Sequence, residues 1–220
     1  MNPWLLIAAA NVADQLFYEN GVFNPAAHQI RSGNNAFVTH QFVGKTNVIV
    51  RTDSGASDPA DTVDVNVSQT NAGLATLEFF TGAGNDLTAI TLGAALPPTT
   101  LHAGAGAGDQ LTVRGTAGDD TLTVDEFSVT GAGSSVTFDT EVEILRVDAG
   151  DGNDAINVVK ISAALVPSLF GGAGNDTATV QAPLPATLTF DDGAGDDRLI
   201  LVGTDADEEF HLGGTTVTGA

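Results

Sequence analysis

Gly172-Ala173-Gly174-Asn175-Asp176 is one copy of a short motif that recurs along this chain at a nearly constant spacing. The other copies are Gly82-Ala83-Gly84-Asn85-Asp86, Gly106-Ala107-Gly108-Asp109, Gly150-Asp151-Gly152-Asn153-Asp154 and Gly193-Ala194-Gly195-Asp196-Asp197. The final Asp stands at positions 86, 109, 154, 176 and 197, so the steps are 23, 45, 22 and 21 residues. A fixed period of this size is typical of a solenoid, in which each repeat forms one coil. The step of 45 is about twice the others, which predicts a degenerate copy at Gly131–Ser135 and one continuous column of glycines and carboxylates.

Each motif is followed by an alternating run, which predicts a strand with one buried face. Apolar residues stand two and four positions after the last Asp, with mostly polar residues between them. This period of two is the pattern of a half-buried β-strand. We expect inward-facing side chains at Leu111, Val113, Ile156, Val158, Val180, Leu199 and Leu201, and outward-facing ones at Thr112, Asn157 and Arg198.

A second apolar run completes each period, and it often follows a proline such as Pro97 or Pro167. Proline is excluded from central positions of a sheet, so it marks a corner between two strands. Every coil therefore reads as strand, corner, strand and glycine corner. The predicted fold is an all-β parallel β-solenoid, a right-handed β-helix of eight or nine coils of about 23 residues, in a single domain over residues 1–220.

A longer repeat is superimposed on the coils. Residues 115–124 match residues 203–212, which lie 88 positions later, and residues 11–18 form a weaker copy. The sequence therefore predicts super-repeats at approximately 11–114, 115–202 and 203–220, the third of them truncated.

The charge of the chain is strongly acidic and is concentrated in one residue type. Acidic residues number 28 against 7 basic ones, for a net charge of −21, and Asp outnumbers Glu by 21 to 7. Asp is favoured in turns and as a hard oxygen ligand for metals. This charge argues against nucleic acid and anionic membranes as partners. The chain has no cysteine, and its apolar segment at residues 4–10 is too short to span a membrane and lacks the basic residue of a signal peptide.

The segment Gly171-Gly172-Ala173-Gly174-Asn175-Asp176-Thr177-Ala178-Thr179 resembles the hemolysin-type calcium-binding repeat, with the pattern G-G-x-G-x-D-x-U-x. In that family the nonapeptides follow one another directly, whereas here one motif occurs in each coil. The coil length is more similar to that of right-handed, pectate-lyase-like β-helices of large secreted or surface proteins. The resemblance covers roughly residues 60–212 and implies an extracellular or cell-surface location.

The resemblance also implies calcium, Ca²⁺, as a cofactor bound along the column. The candidate ligands are Asp86, Asp109, Asp154, Asp176 and Asp197, with Asn85, Asn153, Asn175, Asp151 and Asp196 beside them. Calcium would relieve the repulsion between carboxylates stacked at about 4.8 Å. The alternative is a ladder of Asn and Asp side chains that bond the turns to one another without metal.

Signals of catalysis are weak. The four histidines, at positions 28, 40, 102 and 211, are isolated, and no nucleophile motif is present. Arg146 and Arg198 with neighbouring acids are the residues an enzyme of β-helix type would use. Ranks of Thr-x-Thr such as Thr121 and Thr123 suggest an ice-binding face, but Arg198 and Ile200 break the rank.

We therefore expect no enzyme but a structural or adhesive, calcium-stabilised segment of an extracellular or cell-surface protein. The alternative is a carbohydrate-active β-helix enzyme or a carbohydrate-binding module. The expected partners are further copies of the chain stacked end to end, the remainder of a longer solenoid, or a surface polysaccharide.

Overall fold

The computed structural model describes residues 4–8, 15–21, 27–33, 40–52, 59–71, 73–185, 187–204, 210–213 and 216–219. Within these ranges the regular structure consists only of β-strands. No helix that is long and apolar enough to cross a bilayer is found among them. Of the predicted third super-repeat, residues 203–220, the structure describes 203–204, 210–213 and 216–219.

The strands form two sheets, here called sheet A and sheet B. Sheet A has ten strands in the order β1-β5-β7-β9-β13-β12-β11-β15-β17-β19. Their bounds are β1 Trp4–Ala8, β5 Asn47–Arg51, β7 Thr76–Phe80, β9 Thr99–His102, β11 Thr121–Asp125, β12 Ser128–Gly131, β13 Ser134–Phe138, β15 Ala155–Val158, β17 Thr177–Gln181 and β19 Arg198–Val202.

Sheet B has eleven strands in the order β20-β21-β18-β16-β14-β10-β8-β6-β2-β3-β4. Their bounds are β2 Gln15–Asn20, β3 His28–Ser32, β4 His40–Phe42, β6 Thr62–Asn66, β8 Leu87–Thr91, β10 Gln110–Arg114, β14 Ile144–Asp151, β16 Val166–Ala173, β18 Leu188–Ala194, β20 Phe210–Gly213 and β21 Thr216–Gly219.

The chain alternates between the two sheets from β5 to β10 and again from β13 to β19. Neighbouring strands within each of these stretches are parallel, and their partners lie about one period apart in the sequence. Leu87 pairs with Gln110, and Thr177 pairs with both Ala155 and Arg198. The all-β, mostly parallel architecture predicted from the sequence is confirmed, and the path is consistent with a β-solenoid.

The core lies between the sheets and is filled by alternate residues of each strand. Five of the residues predicted to face inward are no more than 2% exposed: Leu111, Val113, Ile156, Val158 and Val180. Leu199 and Leu201 are only partly buried, because β19 is the last strand of sheet A in the part of the chain that the structure describes.

The three residues predicted to face outward differ among themselves. Arg198 is exposed and Asn157 is half-buried. Thr112 was predicted to be outside, but it is only 8% exposed. Its hydroxyl accepts a hydrogen bond from Nε2 of Gln110 at 3.2 Å, so a neighbouring side chain on the same outer face covers it.

A unit of nine strands occurs twice in the chain. Each unit begins with a three-stranded antiparallel meander within one sheet, β2–β3–β4 in the first and β11–β12–β13 in the second. Six alternating strands follow, β5–β10 and β14–β19. The chain changes sheet at each of the six alternating strands and again where the next meander begins, seven times in all, so the first unit starts in sheet B and the second in sheet A. The units lie within the first two super-repeats, which remain a prediction from the sequence.

Two described histidines have ordinary structural partners. His28 is fully buried beside Tyr18, whose hydroxyl lies 2.7 Å from Nδ1, and Nε2 of His28 lies 2.7 Å from the carbonyl oxygen of Gln69. Burial lowers the pKa of His28, so the ring is neutral near pH 7. His102 stacks on the ring of Phe80 and lies 3.3 Å from a carboxylate oxygen of Asp139.

Candidate functional site

The candidate ligands lie at the corners between the two sheets, but they form two columns rather than one. Asp86 and Asp109 precede strands of sheet B, whereas Asp154, Asp176 and Asp197 precede strands of sheet A. The single column predicted from the sequence is therefore wrong. The odd number of changes of sheet in each unit moves the glycine corner to the other edge of the two sheets.

The step of 45 residues also results from the change of column between the two units. Asp109 and Asp154 belong to different columns, and the meander β11–β12–β13 takes up the extra residues. The degenerate copy predicted at Gly131–Ser135 is the turn between β12 and β13, where Gly131 pairs with Ser134. It is the end of a hairpin and not a corner of a coil.

In each column the buried Asp that ends the glycine motif, here called the inner Asp, accepts a hydrogen bond from the backbone of the coil before it. In the second column Oδ1 of Asp154 accepts the N–H of Asp120 at 2.7 Å. Oδ1 of Asp176 accepts the N–H of Asp154, and Oδ1 of Asp197 accepts the N–H of Asp176, both at 2.8 Å. These corner N–H groups precede their strands, so the carboxylates satisfy donors that would otherwise be buried without a partner.

The first column repeats this arrangement and ends differently. The N–H of Asp61 donates to Oδ1 of Asp86 at 2.7 Å, and the N–H of Asp86 donates to Oδ1 of Asp109 at 2.8 Å. The last acceptor is Oε2 of Glu143, 2.8 Å from the N–H of Asp109. Glu143 lies in the second unit, so this bond crosses the junction between the two units.

A second ladder, on the exposed side of the second column, runs in the opposite direction. The N–H of Asn153 donates to Oδ1 of Asp119 at 2.7 Å, that of Asn175 to Oδ1 of Asn153 at 2.9 Å, and that of Asp196 to Oδ1 of Asn175 at 2.8 Å. The inner side chain of each corner therefore reaches back one coil, and the outer side chain reaches forward one coil. Neighbouring coils are joined in both directions.

The remaining candidates are placed less regularly. Asn85 accepts the N–H of Ala107 at 3.2 Å, which gives the first column one outer bond of the same kind. Asp151 is exposed at the end of β14. Asp61, Asp119, Asp120 and Glu143 take part in the ladders although the sequence did not mark them as site residues. Asp120 could have been found from Gly118-Asp119-Asp120, whereas Glu143 has no glycine before it and gives no such signal.

The glycines of the corner are required by how closely the coils approach. Gly174 has φ of +142°, a conformation that side chains rarely adopt. A Cβ added at Gly174 would overlap the carbonyl oxygen of Gly152 in the coil before it. At this position both the backbone conformation and the stacking exclude every other residue.

Among the residues that the structure describes, three inner carboxylates keep one oxygen for which no hydrogen-bond partner is found. These atoms are Oδ2 of Asp109, Asp154 and Asp176, in residues that are no more than 2% exposed. Burial raises the pKa of Asp109 and of Asp154. The backbone N–H that each carboxylate accepts acts in the opposite direction, and neighbouring carboxylates raise the pKa further.

The candidate ligands, as placed, do not fit a calcium site. Calcium needs six to eight oxygens around one point. In the described part of the chain no three His, Asp or Glu side chains converge in this way. The inner carboxylates stand one to a coil, and one oxygen of each already accepts a backbone N–H. The arrangement resembles the metal-free ladder considered as the alternative.

The two arginines considered for catalysis do not share a face. Arg146 lies in sheet B, where it bonds Asp148 at 3.1 Å and covers the ring of Phe170 at 3.4 Å. Arg198 begins β19 in sheet A. The structure therefore does not bring them together into one site.

Replacement of the corner glycine tests the stacking. We expect Gly174→Ala to lower the free energy of unfolding by at least about 2 kcal/mol, because strained backbone and steric overlap add. Gly118→Ala is the control, since Gly118 has open space at its Cβ. Urea unfolding measures both variants, and equal stabilities would contradict the close approach of the coils.

The pH dependence of stability tests the buried carboxylates. Because the pKa of Asp154 is raised in the folded chain, its contribution to stability is complete below the ordinary aspartate pKa and is lost as pH rises through the raised value. We expect the melting temperature to rise as pH falls through the raised pKa of Asp154 towards the ordinary aspartate value, and Asp154→Asn to flatten this slope. Asp151→Asn, at an exposed residue of the same corner, should keep the wild-type slope. Parallel slopes for all three proteins would show that burial at Asp154 has no effect on the titration.

No family model, no curated protein and no solved structure matches the chain.

Proposed function

We propose that this chain is a non-catalytic structural module of an extracellular or cell-surface protein, built as a right-handed β-solenoid. The single observation that carries the proposal is the pair of opposed ladders. The buried carboxylates of the inner ladder and the exposed amides of the outer ladder bond one coil to the next and do not converge on a common point. Side chains arranged in this way stabilise a stack of coils.

The alternation of sheets supports the same function. In a solenoid each coil contacts only its neighbours, so length and stiffness come from the repeat itself. Here the coils of the alternating stretches are joined to one another by parallel strands in both sheets and by corner side chains. A structural or adhesive segment needs such a continuous, regular body.

One observation favours a second candidate, a carbohydrate-binding or carbohydrate-active groove. On the outer face of sheet B a cavity of about 230 Å³ lies over the small side chain of Ala89. Asp64 and Arg114 border it, with Nη1 of Arg114 3.5 Å from Oδ2 of Asp64, and Gln110 adds a polar amide. Charged and amide groups of this kind can bond sugar hydroxyls.

A screen with neutral and acidic polysaccharides separates the two candidates. If the chain is a structural module, we expect no release of reducing sugar and no saturable binding of polysaccharide. Turnover or binding that Arg114→Ala abolishes and Arg198→Ala leaves intact would replace the structural proposal by the carbohydrate one. Arg198 is the control because it is exposed on the other sheet.

Calcium stabilisation stays a prediction from the sequence. Binding to the folded chain alone would raise the melting temperature by mass action, by an amount that grows with calcium concentration. The measurement is melting in millimolar calcium, in magnesium and in chelator. A rise with calcium that exceeds the rise with magnesium would support the prediction, whereas identical curves would leave hydrogen bonds alone as the link between coils.

A further inference from the structure

The junction between the two nine-strand units shows how one unit continues another. At this junction β13 pairs with β9, and β14 pairs with β10, all in parallel. The last two strands of one unit thus receive the third and fourth strands of the next. By the repeat, β18 and β19 correspond to β9 and β10, whereas β4 and β5 correspond to β13 and β14.

Strand β1 occupies the place on β5 that the last strand of a preceding unit would take. Its residues pair with β5 in the register Trp4–Asn47, Leu5–Val48, Leu6–Ile49, Ile7–Val50 and Ala8–Arg51. The pairs between β10 and β14 run in the same register, from Gln110–Ile144 to Arg114–Asp148. Strand β1 is therefore the equivalent of β10, and also of β19.

The sequences of β1 and β19 agree with this equivalence. Trp4-Leu5-Leu6-Ile7-Ala8 and Arg198-Leu199-Ile200-Leu201-Val202 both have large aliphatic residues at their three central positions. The second and fourth residues face the core in β10, where Leu111 and Val113 are fully buried. Either strand can supply the aliphatic side chains that β5 needs.

The opposite end of the chain carries a similar substitute. Strand β21 pairs with β18 through Leu188–Val217 and Thr189–Thr216, in antiparallel orientation. At the internal junction the equivalent strand β9 receives β13 in parallel orientation. Strand β21 therefore covers an edge that a continuing unit would use.

We propose that β19 of one copy of this chain docks on β5 of a second copy in place of β1, so that chains join head to tail and sheet A continues from one chain into the next. The inference rests on the proposed structural function and names its partner, a second copy of the same chain. The register gives the pairs Arg198–Asn47, Leu199–Val48, Ile200–Ile49, Leu201–Val50 and Val202–Arg51.

The edge of sheet A is suited to this exchange. Strand β19 ends the sheet, its inward residues Leu199 and Leu201 are only partly buried, and Val202 is 43% exposed. An edge strand presents unpaired N–H and C=O groups that can accept another strand. Exchange of β1 for β19 replaces one set of strand pairs by an equivalent set, which is why such swapping costs little.

Two matched substitutions on β1 test whether this strand blocks the edge of β5 on which β19 would dock. Ile7→Asp puts a charge on the buried face of β1, where Ile7 is 9% exposed, whereas Leu6→Asp makes the same kind of change at a residue that is 62% exposed. We expect Ile7→Asp to release β1 and to give concentration-dependent oligomers in light scattering, favoured by salt because it screens the net charge of −21. Leu6→Asp should behave as the wild type. Addition of Leu201→Asp should return the Ile7→Asp chain to a monomer.

Cross-linking tests the register in a chain that keeps the native sequence of β1. The chain has no cysteine, so Ile49→Cys combined with Ile200→Cys introduces the only two thiols. Residues paired across parallel strands lie within disulfide reach, whereas residues two positions out of register do not. We expect oxidised multimers from this pair, several-fold more of them with Ile7→Asp, and few from Asn47→Cys combined with Ile200→Cys.

The outcomes separate this inference from the proposed function. A folded Ile7→Asp chain that stays monomeric at high concentration, with equal cross-linking from both cysteine pairs, would overturn head-to-tail exchange. Oligomers that Leu201→Asp does not abolish would also overturn it, because they would use another surface. Neither result would bear on the structural module, which the polysaccharide screen tests independently.

Discussion

A backbone N–H at the corner of a coil is the constraint on which the rest of this structure depends. Strands satisfy their own backbone groups by pairing, but the residue that precedes a strand has no ladder partner and is buried by the next coil. Here the carboxylate of the equivalent Asp, one coil later, accepts that N–H at 2.7–2.8 Å. The short aspartate side chain, the two glycines before it and the fixed period all follow from this bond.

The number of times that each unit changes sheet determines which edge of the two sheets carries the Asp corners. After the three-stranded meander, six alternating strands return the chain to the sheet in which the unit began, and the next change of sheet starts the following unit in the opposite sheet. Glycine corners that lead from sheet A to sheet B in the first unit lead from sheet B to sheet A in the second. The bond from Asp109 to Glu143 closes the first column at the point of exchange, and a longer acidic side chain serves there in place of Asp.

Local patterns in the sequence were sufficient for the strands and for much of the core. The burial of Leu111 and Ile156 could be predicted because the alternation after each Asp is a property of a single strand. The positions of Asp109 and Asp154 in separate columns could not be predicted in this way, since they depend on how many strands lie between them. A step of 45 residues is compatible with two plain coils or with one coil that contains a hairpin. The cover over Thr112 was missed for a related reason, because it comes from a neighbouring side chain and not from the alternation.

The ladders also determine how charge is distributed over the molecule. Every coil that uses an aspartate to bond its neighbour adds a negative charge, so the linear charge density of a stack is nearly independent of its length. Because successive units place their inner carboxylates at opposite edges, both edges of a long stack carry this charge. Two such stacks brought flank to flank would repel one another at low ionic strength. The same bonds that stiffen the stack along its axis therefore disfavour lateral bundling.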